Sequence, residues 1–397
     1  MHILFYRFHN IYEPDVLSGF REIGFRVSEV FHDPNVPSGN AVTTIADSVT
    51  QMRANGTTPL FVFSINFFPA VSEICEKLQI LYVCWSVDCP VLELFYHAIR
   101  NRYNRIFLFD KVQFERFAPY NPDNIYYLPL GCNTSRLESC IQTITDQDRQ
   151  LYTSDISFVG SLYDEMDPIR KMCNLDAHTK GYIDGLTEAQ LKIYGYNFLE
   201  KAPDDKFIEQ LKGAPLDPSP RDFVASIDRY TVAHFLLGMH LASVERHRTL
   251  SALSSVFYVD LYSKSDASTL PDIHMHGPAH TFHTMPKVFH LSKINLNMTI
   301  RPIQSGLSLR VYDVLGSGGF LITNYQPELE ELFEIGKDLE VYTSIDELID
   351  KCRYYLAHDK ERCQIAQNGQ NTVRRYHDCK QKLIQLLSIV TSSVTGI

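Results

Sequence analysis

Arg301, Ser305, Arg310 and Asp313 crowd one stretch, IRPIQSGLSLRVYDVLGSGGFLITNY, from Ile300 to Tyr325. It reads as a polar loop, a helix opening at Ser305-Gly306, a glycine break and a buried strand. A helix start leaves backbone N–H groups unpaired at the positive end of the dipole, which suits a phosphate. The backbone of Ser305, Gly306 and Leu307 would take that phosphate. Arg301 and Arg310 would add charge-assisted hydrogen bonds, and Asp313, further along the helix, would accept from a ribose diol. That set holds a nucleoside diphosphate. Each residue also has a plainer role: Ser305 as a helix N-cap, and Arg310 with Asp313 as an ion pair three residues apart. The GSGG at Gly316–Gly319 follows a helix instead of opening one, so it is a helix stop and not a dinucleotide fingerprint.

Four further places carry candidate chemistry. Asp88, in WSVDCP, follows a strand; it is a general-base candidate or an ordinary N-cap. His9 ends the first strand and is a candidate of the same kind. FVGSL (Phe158–Leu162) is a strand-to-loop turn whose Gly160 and Ser161 backbone would approach a ligand, or an ordinary βα turn. HMHGPAHTFH holds His274, His276, His280 and His283. No acid or cysteine accompanies these histidines in the stretch, so it reads as loop chemistry without a metal.

The elements that must position these residues alternate between strand and helix. The first half has short apolar runs at Ile3–Phe8, Leu60–Ser64, Ile80–Trp85, Arg105–Asp110 and Ile125–Gly131, with helix-length segments such as DVLSGFREIG and AVSEICEKLQ between them. Such runs point to parallel strands buried on both faces. The polar stretch Cys132–Asp155 reads as a linker. The pattern restarts at Asp155–Glu165, runs helical from Met172 to Thr249, and gives strands at Val256–Tyr262, Lys293–Met298 and Phe320–Tyr325. The tail is helical by its apolar spacing. The expected fold is α/β, with two Rossmann-like domains facing a central cleft and a helical addition in the C-terminal half. The expected domains are 1–150, 151–374, and a final helix 375–397 that crosses back to the first; His377 in RRYHD belongs to that crossing. In such sheets the ligand lies beyond the carboxyl ends of the strands.

The chain has 397 residues, 45% hydrophobic and 21% charged, enough for two cores. A net charge of −10 argues against general binding to nucleic acid or anionic membrane. Nine cysteines without a paired pattern fit a reducing compartment. The start MHILFYRFHNIYEPD reads as a strand, not a signal peptide, and no stretch has the roughly 20 apolar residues of a membrane span. The expectation is a cytoplasmic protein.

The segment from MPKVFHLSKINLNMTIRPIQSGLSLRVYDVLGSGGFLITNYQPELEELFEIGKDLEVY through YYLAHDKERCQIAQNGQ to RRYHD resembles the spore-maturation (CgeB-like) family of glycosyltransferases. That family is a branch of the group 1 enzymes with the two-Rossmann GT-B fold. SINFFPAVSEICEKLQILYVCWSVDCP and RIFLFD…NIYYLPLGCN resemble the domain that precedes it; KGYIDGLTEAQLKIYG and SVERHRTLSAL fit its helical part. The resemblance covers nearly the whole chain, with SGLSLRVYDVLGSGGFLITNYQPEL as its most specific block. It implies transfer of a hexose from a nucleotide sugar, UDP-linked, held by the C-terminal domain without a metal or other cofactor. Met285 and its neighbours to Val288 would lie near the base, and the N-terminal domain would read the acceptor. Group 1 enzymes commonly carry a glutamate at the positions of both Ser305 and Asp313. Asp313 stands where the second contacts ribose, but Ser305 is no acid, which leaves open the contact to the donor sugar and the stereochemical course. An epimerase-like enzyme acting on the nucleotide sugar, or a non-catalytic binding protein on the same fold, is the alternative. The acceptor stays open among protein, glycan, lipid-linked and small-molecule classes.

Overall fold

The computed structural model describes residues 1–31, 39–172, 175–211 and 222–394. It divides into two compact units. One comprises Met1–Asn133, Pro220–Ser226 and His377–Ile397, the other Thr134–Ser219 and Ile227–Tyr376.

The first unit holds β1 (His2–Arg7), β2 (Arg26–Phe31), β3 (Phe61–Ile65), β4 (Leu81–Ser86), β5 (Asn104–Leu108) and β6 (Ile125–Tyr127). They form one parallel sheet in the order β2-β1-β3-β4-β5-β6. Every residue of β3, β4 and β5 is buried, because helices cover both faces of a parallel sheet. Burying each Phe, Val or Leu in these strands contributes roughly 1.5–3 kcal/mol. β2, RVSEVF, escapes the apolar-run reading because it is an edge strand whose polar residues stay partly exposed. The helix Cys379–Val394 belongs to this unit and lies on the helix Glu13–Glu22, where a Cβ on Gly19 would meet Leu383 at 2.5 Å. The chain enters it through paired bonds: Cys132 N–H donates to His377 O and Cys379 N–H to Cys132 O.

The second unit holds β7 (Ser154–Val159), β8 (Val259–Tyr262), β9 (His274–His276), β10 (Ser292–Asn297), β11 (Leu321–Asn324) and β12 (Glu340–Tyr342). This sheet is also parallel, in the order β12-β11-β10-β7-β8-β9. Its core gathers Ile156, Phe158, Leu261, Ile294, Leu296 and Ile322 with Leu250 and Leu253. A second cluster joins Ile183, Leu186, Phe207, Leu236 and Leu241 of the helical addition. β9 and β12 are three residues each, too short to stand out as apolar runs.

Two sequence expectations change. The polar stretch after Cys132 is not a free linker: it forms the helices Thr134–Gln142 and Asp146–Tyr152, the latter closed by a capping box from Thr145 and Asp148. The helical stretch from Met172 is broken into Ala177–Leu191, Asp205–Leu211 and a run from Asp228 to Ser254; its residues 173–174 and 212–221 lie outside the described residues. No described helix is long and apolar enough to cross a membrane, and the described cysteines are free.

Candidate functional site

In the second sheet, the chain leaves β7 toward β8 on one side and returns through β10 on the other. Strand order reverses there, and such a switch point is where open α/β sheets take ligands, at the strands' carboxyl ends. Gly160 and Ser161 follow β7; Met298 to Arg301 follow β10. Arg246, on the helix Gly238–Ser254, ties the two: its Nη1 donates to Ser161 O and its Nη2 to Met298 O at 2.8 Å. The guanidinium lies 4.4 Å from the Tyr163 ring centroid and 5.3 Å from that of Phe158. Burial pushes its pKa below the ordinary arginine range, and its buried Nε has no partner.

The loop after β7 is shaped around that arginine. Gly160 N–H donates to Tyr262 O at 3.1 Å. A Cβ on Gly160 would come within 3.2 Å of the Phe158 ring, which would have to give by a few tenths of an ångström, and would meet Arg246 Nη1 at an ordinary contact distance of 3.7 Å. Ser161 Oγ donates to Glu165 Oε1 at 2.8 Å and accepts from Tyr163 N–H at 2.8 Å. The Ser161 hydroxyl is therefore spent on the loop.

Arg301, expected to meet the phosphate, is held in an ion pair. Its Nη2 donates to Glu245 Oε1 at 2.9 Å, and the pair is nearly sealed from solvent. The guanidinium stacks 4.1 Å from the Tyr194 ring centroid, and Asn197 Nδ2 donates to its carbonyl at 3.0 Å. These contacts tie Glu245, Tyr194 and Asn197 to the loop after β10. The same loop is locked from below by Asn324, which accepts from Thr299 N–H and donates to Thr299 O, both at 2.8 Å.

Ser305 and the helix start are also placed differently. The helix runs Leu309–Gly316 with Ser308 as its N-cap residue, so it opens after Ser305-Gly306-Leu307 and not at them. Ser305 is buried; its Oγ donates to Glu328 Oε1 at 2.7 Å, and its carbonyl accepts from Glu328 N–H. Gly306 and Leu307 are buried beside it. Ser308 Oγ caps no backbone N–H and is buried without a partner. The helix start thus holds an unused hydroxyl, while Val311 N–H bonds back to Ser308 O at 3.1 Å. The GSGG stop is as expected: Gly318 takes φ +73°, and Gly319 N–H donates to Val314 O at 3.0 Å.

Arg310, Met285 and Asp313 come together. The Arg310 guanidinium lies 5.1 Å from the Phe289 ring centroid, with Nη1 against Met285 Sδ. Burial lowers its pKa, Asp313 opposes that shift and Arg246 adds to it. Two cations and one carboxylate therefore act on one another at this end of the sheet. With the helix starting at Leu309, Asp313 is one turn in, on the Arg310 face.

In the first unit, Asp88 and His9 lie beyond the carboxyl ends of β4 and β1, the strands on either side of β3. No helix opens at Asp88, so it is not an N-cap. Asn66, at φ +57°, donates from Nδ2 to Asp88 Oδ2 and accepts from Val87 and Asp88 N–H. Desolvation by the surrounding protein pushes the Asp88 carboxyl above its usual range, and the Asn66 hydrogen bond opposes that shift. His9, at φ +66°, is exposed and stacks on Phe31 with centroids 5.9 Å apart. His377 is buried and supplies its carbonyl to Cys132.

The histidine stretch is not all loop, and an acid does accompany it. His274 and His276 form β9, paired in register with Asp260 and Tyr262 of β8.

Sequence reading missed Glu245 and Arg246. The buried positions on their helix, Leu241, Ala242, Ser243, Glu245, Arg246, Thr249, Leu250 and Leu253, follow helical spacing. A glutamate and an arginine in the middle of a core-facing stripe were the available signal.

Residues 246–388 match the "Glycosyl transferase-like" family model. Among curated proteins no sequence matches the chain. Three solved structures share the architecture over nearly their whole lengths. A glycosyltransferase from Rickettsia africae is 10% identical, with a TM-score of 0.56 over 99% of this chain and 98% of that one. HepE from Anabaena, in complex with UDP and glucose, is 10% identical, with a TM-score of 0.54 over 99% and 100%. Sucrose-phosphate synthase from Thermosynechococcus elongatus is 11% identical, with a TM-score of 0.53 over 100% of each. The two six-stranded parallel sheets are those of the GT-B fold.

Proposed function

We propose that this chain is a glycosyltransferase of the CgeB-like branch that moves a hexose from a UDP-sugar to an acceptor without a metal ion. The observation that carries this reading is Arg246 joining the loops after β7 and β10 at the switch point, with Arg310 close enough to sense its charge. A nucleoside diphosphate supplies the anion that two neighbouring cations and a helix start call for. HepE, with its UDP complex, has the same fold.

In this reading the diphosphate lies at the Ser308 end of the helix Leu309–Gly316 with Arg310 beside it. Fixed positive charge there stabilises the departing diphosphate as the glycosidic bond breaks. Asp313 takes the ribose diol, and Gly160 and Met285 border the donor. Asp88, steered by Asn66, accepts the proton of the attacking acceptor hydroxyl; His9 is the second candidate. Ser305 and Arg301 act by holding the loop.

The test is incubation with UDP-glucose in EDTA, with UDP release and the sugar nucleotide both followed. Released UDP is expected. An altered sugar still on UDP indicates epimerisation instead, and binding without turnover indicates a non-catalytic protein. Activity restored only by Mn²⁺ or Mg²⁺ would overturn the metal-independent site.

A further inference from the structure

The geometry points to a divalent transition-metal site on the outer edge of the second sheet, formed by Asp260, His274 and His276 and taking an ion of the Zn²⁺ class. It stands apart from the proposed reaction and does not depend on it.

The register builds the cluster. Asp260 pairs with His274 and Tyr262 with His276. Side chains two apart on a strand share a face, so Asp260 and Tyr262 on β8 line up beside His274 and His276 on β9, with Tyr258 just before β8. His276 Nε2 is 2.5 Å and His274 Nδ1 3.8 Å from the same oxygen, Asp260 Oδ1. One ligand atom from each residue lies within 4.8 Å of the others. Tetrahedral ligands on zinc stand about 3.4 Å apart at ordinary bond lengths, a separation within that range.

Three features go beyond a simple hydrogen bond. One imidazole is enough to satisfy Oδ1, yet two converge on it. Each ring is held by a tyrosine: His276 stacks on Tyr262 at 4.5 Å and 11°, and His274 leans on Tyr258 at 4.5 Å. Among the described residues no lysine or arginine pairs with the buried Asp260, while His274 is exposed to solvent and open to an incoming ion. Two neutral imidazoles and a carboxylate are a zinc ligand set, with water as the fourth ligand. On binding, the His276 ring hydrogen moves from Nε2 to Nδ1, so that Nε2 faces the ion as the lone-pair donor of a neutral imidazole.

The site would act as a clip. β9 is a three-residue edge strand held by one neighbour, and an ion bound to both strands fastens it to β8. Tyr262 also accepts the Gly160 N–H, so the clip steadies the residue that supports the loop after β7.

The test uses the full-length chain stripped of metal and titrated with Co²⁺ and Zn²⁺. We expect one ion per chain, a visible tetrahedral Co²⁺ absorption and a raised melting temperature. His274→Ala, His276→Ala and Asp260→Asn should each weaken Co²⁺ binding at least tenfold. His280→Ala and His283→Ala should leave it unchanged. His274 is exposed, so its variant tests the site without threatening the fold. Absence of saturable binding, binding that survives all three site variants, or binding removed by His280→Ala or His283→Ala overturns the assignment.

Discussion

Arg301 and Glu245 form an ion pair whose side chains are only 5% and 4% exposed, with Nη2 and Oε1 2.9 Å apart. Removing one partner from such a pair leaves an uncompensated buried charge, at a cost of about 3–5 kcal/mol. Arg301→Met should therefore lower stability by that order in urea denaturation. Combining it with Glu245→Gln should recover part of the loss, because the stranded charge is gone. Unchanged unfolding with a large fall in UDP affinity would return Arg301 to the role of phosphate ligand.

Arg310 is the opposite case. Its guanidinium packs on Phe289 and Met285 and is proposed to meet the diphosphate. Arg310→Ala should weaken UDP binding by about 1.5–3 kcal/mol, the range for hydrogen bonds to charged groups. The free protein should melt at nearly the same temperature, since the lost packing is offset by removal of a desolvated charge. Calorimetry with UDP, beside a thermal melt, separates the two; a large loss of stability at unchanged affinity would make Arg310 structural.

Asp313 is tested by its proposed ligand. Asp313→Ala should weaken UDP and UDP-sugar alike, and the effect should shrink for a 2′,3′-dideoxy nucleotide that offers no diol. If Asp313 serves only to pair with Arg310 at the helix surface, the losses should be well under ~1 kcal/mol and equal for both nucleotides. The two proteins and two ligands form a cycle whose coupling energy decides.

Lys382 gives a pH prediction in the first unit. It is buried on the helix Cys379–Val394, and burial lowers its pKa from 10.5 to about 8. Below pH 8 the lysine is charged in both folded and unfolded chains, and the folded state bears the desolvation cost. Between about pH 8 and 10.5 the folded state loses its proton first, so this residue's contribution to stability rises with pH. Lys382→Met should raise stability at pH 7 by an amount on the order of 3 kcal/mol, at about 1.4 kcal/mol per pH unit. The gap between variant and parent should close by pH 10.5. A gap that stays constant with pH would mean that packing, not charge, sets it.

Much of the fold is legible in local sequence. Runs such as FVFSI and LYVCWS are buried end to end, and continuous apolarity is what a strand covered on both faces requires. The GSGG stop is local too, because a left-handed turn at Gly318 depends on the residue itself. β2, β9 and β12 were not legible: an edge strand keeps polar residues, and three residues carry no period.

The candidate site was legible in part, and the divide follows chain separation. Arg310 and Asp313 lie close because their spacing puts them on one helix face, while the Arg310 contact to Met285 spans 25 positions. Whether an arginine is free or neutralised is not local. Arg301 meets Glu245 across 56 positions, and Arg246 reaches Ser161 across 85. Asp260 meets His276 because β8 and β9 lie side by side in one register. The sequence by itself determined the buried central strands and the glycine helix stop, because those preferences act over a few neighbouring residues. Only the tertiary structure decided which charges face each other, because sheet order and register bring distant positions within hydrogen-bond reach, where burial makes their pairing strong.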